Sequence, residues 1–426
     1  MSDTLRLGVA GLGTVGTGTL AMLQRNPEMI AQRCGRPVRV TAVAARDPNK
    51  TRDVDLSGVR WTGDARELAR DPEVDVLVEL IGGGEVVETA LARGKHVVTA
   101  NKALLARHGT RLAREAEAHG AGLLCEAAVC GGIPVIKTVR EALAGNAVTE
   151  IHGIMNGTSN YILTDMRETG RDFGEVLAET QQLGYAEADP AMDVDGHDAA
   201  HKLAILTALA FNREIDSDGM HVEGIRQVNA LDIAFAEQLG YRIKLLGIAR
   251  AHPDGVEQRV HPCMVPKSAP IAGVEGVNNA VVAAGDAVGS LLTEGPGAGA
   301  GPTASAVVAD VMDLARCGGQ PTFAVPAANL APAKTRDMTA RHGEYYLRLM
   351  CEDRPGVLTE ITEALRDEGI SVASMVQRGR APAGRPVPVV MTTHETQEAA
   401  MMRALARIGK MPVVLEPPRL IRVENV

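Results

Sequence analysis

The sequence predicts an α/β protein with a doubly wound parallel sheet, followed by an α+β domain and a smaller domain of ferredoxin-like order. Three observations predict this class. Buried apolar runs alternate with helical periodicity over residues 1–130. The alternation becomes irregular from about residue 133. The chain from residue 343 onward follows a βαββαβ order.

The predicted first domain, residues 1–130, opens with a strand at Leu5–Val9, a glycine-rich turn and a helix from Thr17. Its other predicted elements are strands at 38–45, 74–81, 96–99 and 122–125 and helices at 85–93 and 103–119. Continuous apolar strands separated by helices are typical of a parallel sheet that is covered on both faces. This pattern justifies the doubly wound assignment.

The predicted second domain, residues 131–318, mixes helices with less regularly spaced strands, which indicates an α+β domain. A long apolar helix is predicted from about Gly196 to Phe211. Residues 319–342 are rich in proline, alanine and glycine and predict a linker. Residues 343–426 predict an independent third domain, whose last strand is expected at 411–417.

Composition excludes several classes of function. The chain of 426 residues is 45% hydrophobic and 23% charged, which is typical of a globular protein. A net charge of −9, with one tryptophan, five tyrosines and four phenylalanines, argues against a nucleic-acid partner. Without an apolar leader or a long uncharged span, we expect no membrane partner and a cytoplasmic location. Six cysteines without a CxxC pair fit reduced thiols.

The first strand leads into the glycine pattern GxGxxG, formed by Gly11, Gly13 and Gly16. The first glycine allows a tight turn, the second lets the backbone approach a pyrophosphate, and the third lets helix and strand pack closely. The pattern therefore predicts a dinucleotide site at the start of a helix. The candidate cofactor-binding residues of the turn are Gly11, Leu12, Gly13, Thr14, Val15 and Gly16.

The second strand ends in Arg46 and Asp47, with Lys50 close behind. A cation at this point pairs with the 2′-phosphate of NADP, whereas an acidic residue accepts a hydrogen bond from the 2′-hydroxyl of NAD. Arg46 favours NADP, and Asp47 keeps NAD open. The alternative is that these are solvated loop charges.

Two lysines are candidates for proton transfer. Lys102 follows the strand 96–99, at the sheet edge where ligands of open α/β sheets collect. Asp198 and Lys202 share one face of the long apolar helix, so the carboxylate can orient the amine. A lysine so placed can shuttle a proton if burial lowers its pKa. The alternative for Lys102 is an ordinary surface lysine.

Three other motifs keep different interpretations open. The sequence His197-Asp-Ala-Ala-His201 resembles a zinc-binding helix, with aspartate where such helices have glutamate. Cys130 lies in a glycine-rich turn where a thiolate nucleophile is conceivable, but no partner histidine is evident and the sequence favours a small buried thiol. The segment Gly295–Thr303, which includes Gly299, is either a close approach to the cofactor or a flexible turn. The alternative from a different class is a protein that binds an effector and has no catalytic activity.

Six motifs occur together and in order: GLGTVG at 11–16, TANK at 99–102, EAAVCGGIP at 126–134, NGTSNYIL at 156–163, GYAEADPAMDVDGHDAAHK at 184–202 and GPGAGAGPTASAVVAD at 295–310. With them, residues 5–316 resemble homoserine dehydrogenase. The segment that begins LRLMCEDRPGVLTE, at residue 347, is similar to an ACT domain, a module that binds amino-acid effectors. The resemblance implies a Rossmann-type first domain and a regulatory third domain.

The resemblance also implies an activity and site residues. Such an enzyme interconverts L-homoserine and L-aspartate 4-semialdehyde with a nicotinamide cofactor, in threonine, methionine and isoleucine biosynthesis. Lys202 would be the proton donor and Lys102 would lie near cofactor and substrate. Residues implied to bind homoserine or orient the lysines are Gly184, Glu187, Asp193 and Asp198. A monovalent cation, typically sodium, is implied on Glu126 and on the main-chain carbonyls of Val129, Gly131 and Ile133.

The ACT resemblance implies feedback by an amino acid such as threonine. Asp353, Pro355 and Gly356 form the turn that would present backbone groups to this effector. The alternative is that the domain only dimerises. From the resemblance we expect a homodimer or homotetramer.

Overall fold

The structure, a computed structural model, describes residues 4–377 and 386–426. The first domain contains a six-stranded parallel sheet of order β3-β2-β1-β4-β5-β6. Its strands are β1 (Leu5–Ala10), β2 (Val38–Ala44), β3 (Arg60–Thr62), β4 (Val76–Glu79), β5 (His96–Thr99) and β6 (Leu123–Leu124). The strand order reverses between β1 and β4, so their carboxyl ends border the crevice in which ligands of such sheets bind.

Helices cover both faces of this sheet, because β1, β4 and β5 are apolar on both faces and almost wholly buried. The helices are α1 (Thr14–Arg25), α2 (Pro27–Cys34), α3 (Ala65–Arg70), α4 (Gly84–Leu91) and α5 (Lys102–Ala118). The sequence patterns did not predict β3, α2 or α3, which are short elements with weak periodicity.

The second domain packs its helices against a mixed sheet. Its helices are α6 (Val135–Lys137), α7 (Gly157–Thr169), α8 (Phe173–Gln182), α9 (Ala191–Val194), α10 (His197–Phe211), α11 (Ala230–Gln238) and α12 (Ala300–Cys317). Its strands are β7 (Val148–Ile154), β8 (His221–Val222), β9 (Tyr241–His252), β10 (Gly255–Pro266), β11 (Asn278–Gly285) and β12 (Gly289–Pro296). The apolar helix α10 is buried along most of its length, as its composition predicts.

The third domain has the predicted ferredoxin-like order. Its main elements are β14 (Tyr345–Glu352), α13 (Val357–Asp367), β15 (Val372–Gln377), β16 (Pro386–Thr393), α14 (Glu398–Ile408) and β18 (Arg419–Val423), with a small ribbon of β13 (His342–Gly343) and β17 (Thr396–Gln397). The predicted fold class is confirmed in all three domains. The pattern SVASMVQRG at 371–379 predicts a strand, which is present as β15, and the last two positions of this prediction lie outside the described residues.

The last strand is β18 and not the predicted segment 411–417. The segment 411–417 contributes only an isolated bridge between Val414 and Cys351, whereas β18 pairs with β14 on one side and with β10 on the other. The second and third domains therefore share one continuous sheet. Two arginines in β18 interrupt its hydrophobic pattern. Arg422 is buried against Glu398, and Arg419 is half-buried and donates to Gln227.

A group of ion-paired side chains, most of them buried, joins the second and third domains and is here called the interdomain cluster. Its members are Glu150, Arg250, Arg259, Arg341, Glu398, Arg422 and Glu424. The predicted linker also packs on its neighbours: the main-chain N–H of Arg336 donates to the carbonyl of Val256 at 2.8 Å. No helix in the described part of the chain is long and apolar enough to cross a membrane.

Candidate active site

The glycine turn between β1 and α1 has the geometry that its sequence requires. Gly11 has φ +105°, a conformation that favours glycine. A Cβ on Gly16 would lie 1.9 Å from the carbonyl oxygen of Gly11, so helix and strand meet only because this position has no side chain. No atom of the described residues lies within 4 Å of a Cβ on Gly13, which leaves its backbone open to a ligand. Leu12 is buried, Thr14 is exposed and Val15 is half-buried. The turn therefore fits a dinucleotide pyrophosphate at the N-terminus of α1.

Two other glycine-rich segments meet beside this turn. A Cβ on Gly131 would lie 2.9 Å from the carbonyl oxygen of Gly297, and a Cβ on Gly18 would lie 2.7 Å from that of Ala300. Gly299, with φ +124°, is the residue that caps α12. Glycines at these positions let three backbone segments approach closely.

The loop after β2 carries Arg46 on its exposed side. Its neighbour Asp47 accepts the main-chain N–H of Asn49 at 2.8 Å, which fixes a turn. Arg52 stacks over Trp61 with 5.1 Å between guanidinium and ring centroid. It also donates to the carbonyls of Leu12 and Asp47 at 3.4 and 3.0 Å, which ties this loop to the glycine turn.

At the domain junction, Asp198 joins two lysines that are distant in sequence from each other. Its Oδ2 lies 2.8 Å from Nζ of Lys202, and its Oδ1 lies 3.2 Å from Nζ of Lys102. Lys202 also donates to the carbonyl of Met155 at 2.6 Å. Since an ammonium has three N–H donors, these two acceptors leave one for another ligand.

The N-cap of α7 completes this group. Nδ2 of Asn156 donates to Oδ2 of Asp198 at 2.9 Å and to Oδ1 of Asp193 at 2.8 Å. Ser159 donates to the main-chain carbonyl of Asp193 at 2.9 Å. We call Lys102, Asn156, Asp193, Asp198 and Lys202 the catalytic cluster.

Electrostatics keep Asp198 and Lys202 ionised, whereas burial raises the pKa of Asp193. Burial opposes the charged form of Asp198, but Lys202 and Lys102 outweigh it and hold the pKa of this carboxyl well below its usual range. Burial likewise opposes the charged form of Lys202, yet its ion pair with Asp198 leaves the pKa of the amine raised. The condition that burial lowers the pKa of Lys202 is therefore not met. Lys202 rests as an ammonium that can donate a proton.

A cavity of about 330 Å³ lies between the carboxyl edge of the parallel sheet and α10, with Val15, Lys102 and His201 among its lining residues. The buried carboxylate of Glu79 supports its floor. It accepts the hydroxyl of Thr99 at 2.7 Å and the main-chain N–H groups of Ile81 and Gly83 at 2.8 and 3.0 Å. Lys102 of the catalytic cluster and Val15 of the glycine turn therefore border the same cleft.

Gly184 and Glu187 lie on the exposed loop after α8. Gly184 ends the helix with φ +79°. The main-chain carbonyl of Glu187 accepts Nε2 of Gln181 at 3.0 Å. Within the described residues, no polar contact joins either one to the lysines of the catalytic cluster.

Glu126 is a buried carboxylate in the turn after β6. It accepts the main-chain N–H groups of Ile136 and Lys137 at 3.0 and 2.9 Å. Burial, with the carboxyl of Asp310 nearby, raises the pKa of Glu126 to about 7. Val129, Gly131 and Ile133 are buried around it.

Two rival interpretations of the sequence lose support. The first is the zinc-binding helix. Asp198 pairs with a lysine, and His197 is exposed. The described residues contain no group of three or more histidine, cysteine or acidic side chains that could hold a metal ion. The thiol of Cys130 is 1% exposed, and burial raises its pKa, which disfavours a thiolate nucleophile.

Comparison with known proteins agrees with this geometry. The family described as homoserine dehydrogenase matches residues 134–312, its NAD-binding domain matches 11–126, and the ACT domain matches 345–410. Homoserine dehydrogenase from Pseudomonas aeruginosa is 46% identical over 99% of both chains. That from Neisseria gonorrhoeae is 44% identical, again over 99% of both.

The chain belongs to the homoserine dehydrogenase family.

Solved structures of homoserine dehydrogenases extend the likeness to the fold. The enzyme from Thiobacillus denitrificans superposes with a TM-score of 0.93 at 45% identity, covering 99% of each chain. That from Staphylococcus aureus gives a TM-score of 0.77 at 31% identity over the whole of both chains. A hyperthermophilic archaeal homoserine dehydrogenase, solved in complex with NADPH, gives 0.63 at 26% identity over 73% of this chain.

The predicted family, fold class and activity are thus confirmed. The chain is an oxidoreductase that interconverts L-homoserine and L-aspartate 4-semialdehyde with a nicotinamide cofactor, and it carries an ACT domain. The structure brings together Lys102, Asp193, Asp198 and Lys202 as the resemblance implied.

Sequence reasoning missed Asn156, Glu79 and Arg52. Asn156 begins the quoted motif NGTSNYIL, and an N-cap asparagine was a usable signal. Glu79 ends an otherwise apolar strand, which marks a buried carboxylate at the ligand edge of the sheet. Arg52 follows Arg46 and Lys50 in one basic stretch.

Proposed function

We propose that Lys202 is the proton donor of the reaction and that Asp198 holds it in place. The observation that carries this proposal is the pairing of a buried ammonium with Asp198 at 2.8 Å, with one N–H of Lys202 still available. When bound, the nicotinamide supplies or accepts the hydride. Lys202 then gives a proton to the carbonyl oxygen of the semialdehyde, or receives one from the hydroxyl of homoserine in the reverse direction.

Lys202 rests as an ammonium, so the site is prepared for aldehyde reduction, in which the lysine gives up a proton. The raised pKa keeps the amine protonated, which suits donation to a developing alkoxide. Lys102, whose side chain is 38% exposed, provides a second positive charge on the cleft side of Asp198. It would neutralise oxygen charge on the substrate and contact the cofactor.

An assay at 340 nm, the absorbance of reduced nicotinamide, tests this function with each cofactor in both directions. We expect homoserine-dependent reduction of the cofactor and semialdehyde-dependent oxidation. The rate of homoserine oxidation should rise with pH, because Lys202 must lose its proton before it can accept one. Homoserine oxidation independent of pH across the alkaline range would contradict the role of Lys202.

Substrate binding is proposed for Gly184, Glu187, Asp193 and Asp198. The geometry favours Asp193 most, because Nδ2 of Asn156 donates both to its carboxylate and to that of Asp198. Glu187 lies on the same loop and remains exposed to a ligand. Replacing Glu187 by glutamine should raise KM for homoserine more than it lowers kcat, since a carboxylate that binds the substrate amine acts before the chemical step.

NADP is the proposed cofactor, with NAD as the alternative. Arg46 stands exposed at the end of β2, where a 2′-phosphate would lie, and the archaeal relative was solved with NADPH. Leu12, Thr14, Val15 and Gly299 complete the proposed cofactor site around the three glycines. Arg46→Asp should lower the ratio of kcat/KM for NADP over NAD about tenfold or more. An unchanged ratio in kinetics with both cofactors would remove Arg46 from the site.

A monovalent cation, sodium by preference, is proposed on Glu126 and on the carbonyls of Val129, Gly131 and Ile133. Support comes from the enclosed carboxylate and from Cys130, whose φ of +52° turns the chain between the proposed carbonyl ligands. Thermal unfolding in sodium chloride and in tetramethylammonium chloride tests the site. Sodium should raise Tm of the wild type and have no effect on Glu126→Gln.

Feedback by threonine through the ACT domain is proposed, with the effector at the turn of Asp353, Pro355 and Gly356. A cavity of about 440 Å³ lies at this turn. Titration of threonine against full-length enzyme and against Asp353→Asn tests it. Inhibition of the wild type alone is expected, and insensitivity of the wild type would dismiss threonine.

A homodimer or homotetramer in the cytoplasm is proposed, with residues 1–130 for the cofactor, 131–318 for the substrate, 319–342 as a packed linker and 343–426 for regulation. The exposed edge strand β12 supports assembly, and six unpaired cysteines support a reducing compartment. Light scattering gives the oligomeric mass.

A further inference from the structure

His201 belongs to the motif that resembled a zinc-binding helix, and the proposed function gives it no role. It follows Asp198 by three residues in α10 and directly precedes Lys202. Residues three and four apart share one side of a helix, so His201 projects beside the catalytic pair. It is half-buried and lines the cavity of about 330 Å³ together with Lys102. The imidazole therefore stands at the cleft that Lys102 also borders.

The imidazole presents a single donor to this cavity. Its Nδ1 is buried and has no hydrogen-bond partner among residues 4–377 and 386–426. Burial lowers the pKa of His201 more than the nearby charge of Asp198 raises it, so the ring rests neutral. Orphaned buried N–H groups are rarer in proteins than buried acceptors without a partner, which assigns the one proton of the neutral ring to Nε2. His201 thus offers a neutral N–H beside a charged lysine.

The position of the cavity decides which part of the cofactor reaches His201. Its walls are the carboxyl ends of β4 and β5 with the residues after them, Val15 in the first turn of α1, and Met192 and His201 from the second domain. Hydride transfer requires the nicotinamide ring to lie next to the substrate. A pyrophosphate on the N-terminus of α1 and a substrate beside Lys202 therefore leave this cavity for the nicotinamide half of the cofactor.

A neutral donor suits this half of the cofactor in both of its oxidation states. The oxidised nicotinamide ring carries a positive charge, and Lys102 already places one cation at the cavity. An imidazolium would add a second cation and repel the oxidised ring. The carboxamide oxygen of the ring is an uncharged acceptor that matches a neutral N–H.

We propose that His201 binds the nicotinamide ring by donating a hydrogen bond from Nε2 to the carboxamide oxygen. This bond fixes the rotation of the ring about its bond to the ribose, so that one face is turned toward the substrate. The inference rests on the proposed cofactor site and extends it from the glycine turn to the reactive end of the dinucleotide.

Cofactor binding measured without turnover tests this role. Isothermal titration calorimetry of the full-length enzyme uses NADP, its thionicotinamide analogue and 2′-phospho-ADP-ribose, which has no nicotinamide ring. Because sulfur is a weaker hydrogen-bond acceptor than oxygen, the wild type should bind the thionicotinamide analogue about three- to tenfold more weakly than NADP. If the wild type binds NAD alone, then NAD, its thionicotinamide analogue and ADP-ribose give the same comparison.

Two variants of His201 and one control locate the bond. His201→Phe keeps a ring without a donor and should weaken NADP binding about three- to tenfold, while it should bind NADP and the thionicotinamide analogue equally. His201→Gln restores an N–H donor and should bind NADP within about twofold of the wild type. The matched control is His197→Phe, one helical turn earlier at an exposed position, which should leave every affinity unchanged. All three variants should bind 2′-phospho-ADP-ribose as the wild type does.

Three results would overturn the proposal. These are equal weakening of NADP and 2′-phospho-ADP-ribose in His201→Phe, undiminished discrimination against the thionicotinamide analogue in that variant, and unchanged NADP affinity in that variant. Circular dichroism on each variant confirms the fold. If His201→Phe does not fold, His201→Asn replaces it, because the asparagine amide corresponds in position to Nδ1 and not to Nε2.

Arg46→Asp separates this inference from the proposed cofactor preference. Weaker NADP binding in His201→Phe, with unchanged binding in Arg46→Asp, would support the role of His201 and reject the proposed 2′-phosphate contact alone. Weaker binding of all three probes in Arg46→Asp, with unchanged binding in His201→Phe, would reject the role of His201 alone. The proposed proton transfer by Lys202 does not enter these measurements, since no turnover takes place.

Discussion

The catalytic cluster and the interdomain cluster each centre on a buried carboxylate, Asp198 in the first and Glu424 in the second, but they differ in their cations. In the interdomain cluster the carboxylate of Glu424 accepts from Arg259 at 2.9 Å, from Arg341 at 2.8 Å and from Arg250 at 3.3 Å. In the catalytic cluster the carboxylate of Asp198 pairs with two lysines, and one of them, Lys102, lines a cavity. Arginine stays protonated at any accessible pH, whereas a lysine amine can exchange a proton.

The difference teaches that burial and perturbed ionisation do not by themselves identify an active site. Both carboxylates have depressed pKa values for the same reason, since neighbouring cations outweigh desolvation. Only the catalytic cluster combines an exchangeable proton with an adjacent cavity. The interdomain cluster instead fastens β18 and the ACT domain to the second domain.

The largest expected effect is on kcat, and it should distinguish Lys202 from a second buried lysine, Lys244. Lys202→Met should lower kcat about 10³-fold, because a general acid contributes about 10²- to 10⁴-fold. Lys244, which is 2% exposed and has a pKa lowered to about 8 by burial, serves as the matched control. Lys244→Met should reduce stability yet change kcat by no more than about twofold. Steady-state kinetics and circular dichroism on both variants give the comparison, and near-normal kcat in Lys202→Met would refute the assignment.

The next effect concerns stability. Glu424→Gln should destabilise the fold by roughly 3–5 kcal/mol, because it leaves buried guanidiniums without their carboxylate. The kcat of the folded fraction should stay close to that of the wild type. Urea unfolding, with kinetics at low urea, tests both statements. A loss of kcat in a fully folded variant would show that the two clusters are coupled.

The smallest effect is in the pH dependence of that stability. The pKa of Glu424 is held at about 2, because three arginines outweigh the effect of its burial. A depressed carboxyl pKa contributes stability that is complete above the unfolded value of about 4.3 and is lost as pH falls toward about 2. The difference in unfolding free energy between wild type and Glu424→Gln should therefore be constant above pH 5 and shrink below about pH 4. A difference that is independent of pH down to about 2.5 would contradict this account.

The pairing of Asp198 with Lys202 could be predicted from the sequence because it is local. Four residues of helix place the two side chains on one face, and the apolar turns that follow imply burial. The glycine turn was equally predictable, since its conformation is a property of residues 11–16. The contact between Lys102 and Asp198 required the packing of the first domain on the second.

The sequence by itself determined the fold class, the family and the glycine and lysine motifs, because these depend on periodicity and on short spacings. Tertiary structure decided the protonation of Lys202, since burial lowers the pKa of its amine and the ion pair with Asp198 raises it. It also decided that β18 joins two domains in one sheet, because the charges of Arg419 and Arg422 are accommodated only by distant residues. Local patterns report local energies, whereas charge burial depends on the whole fold.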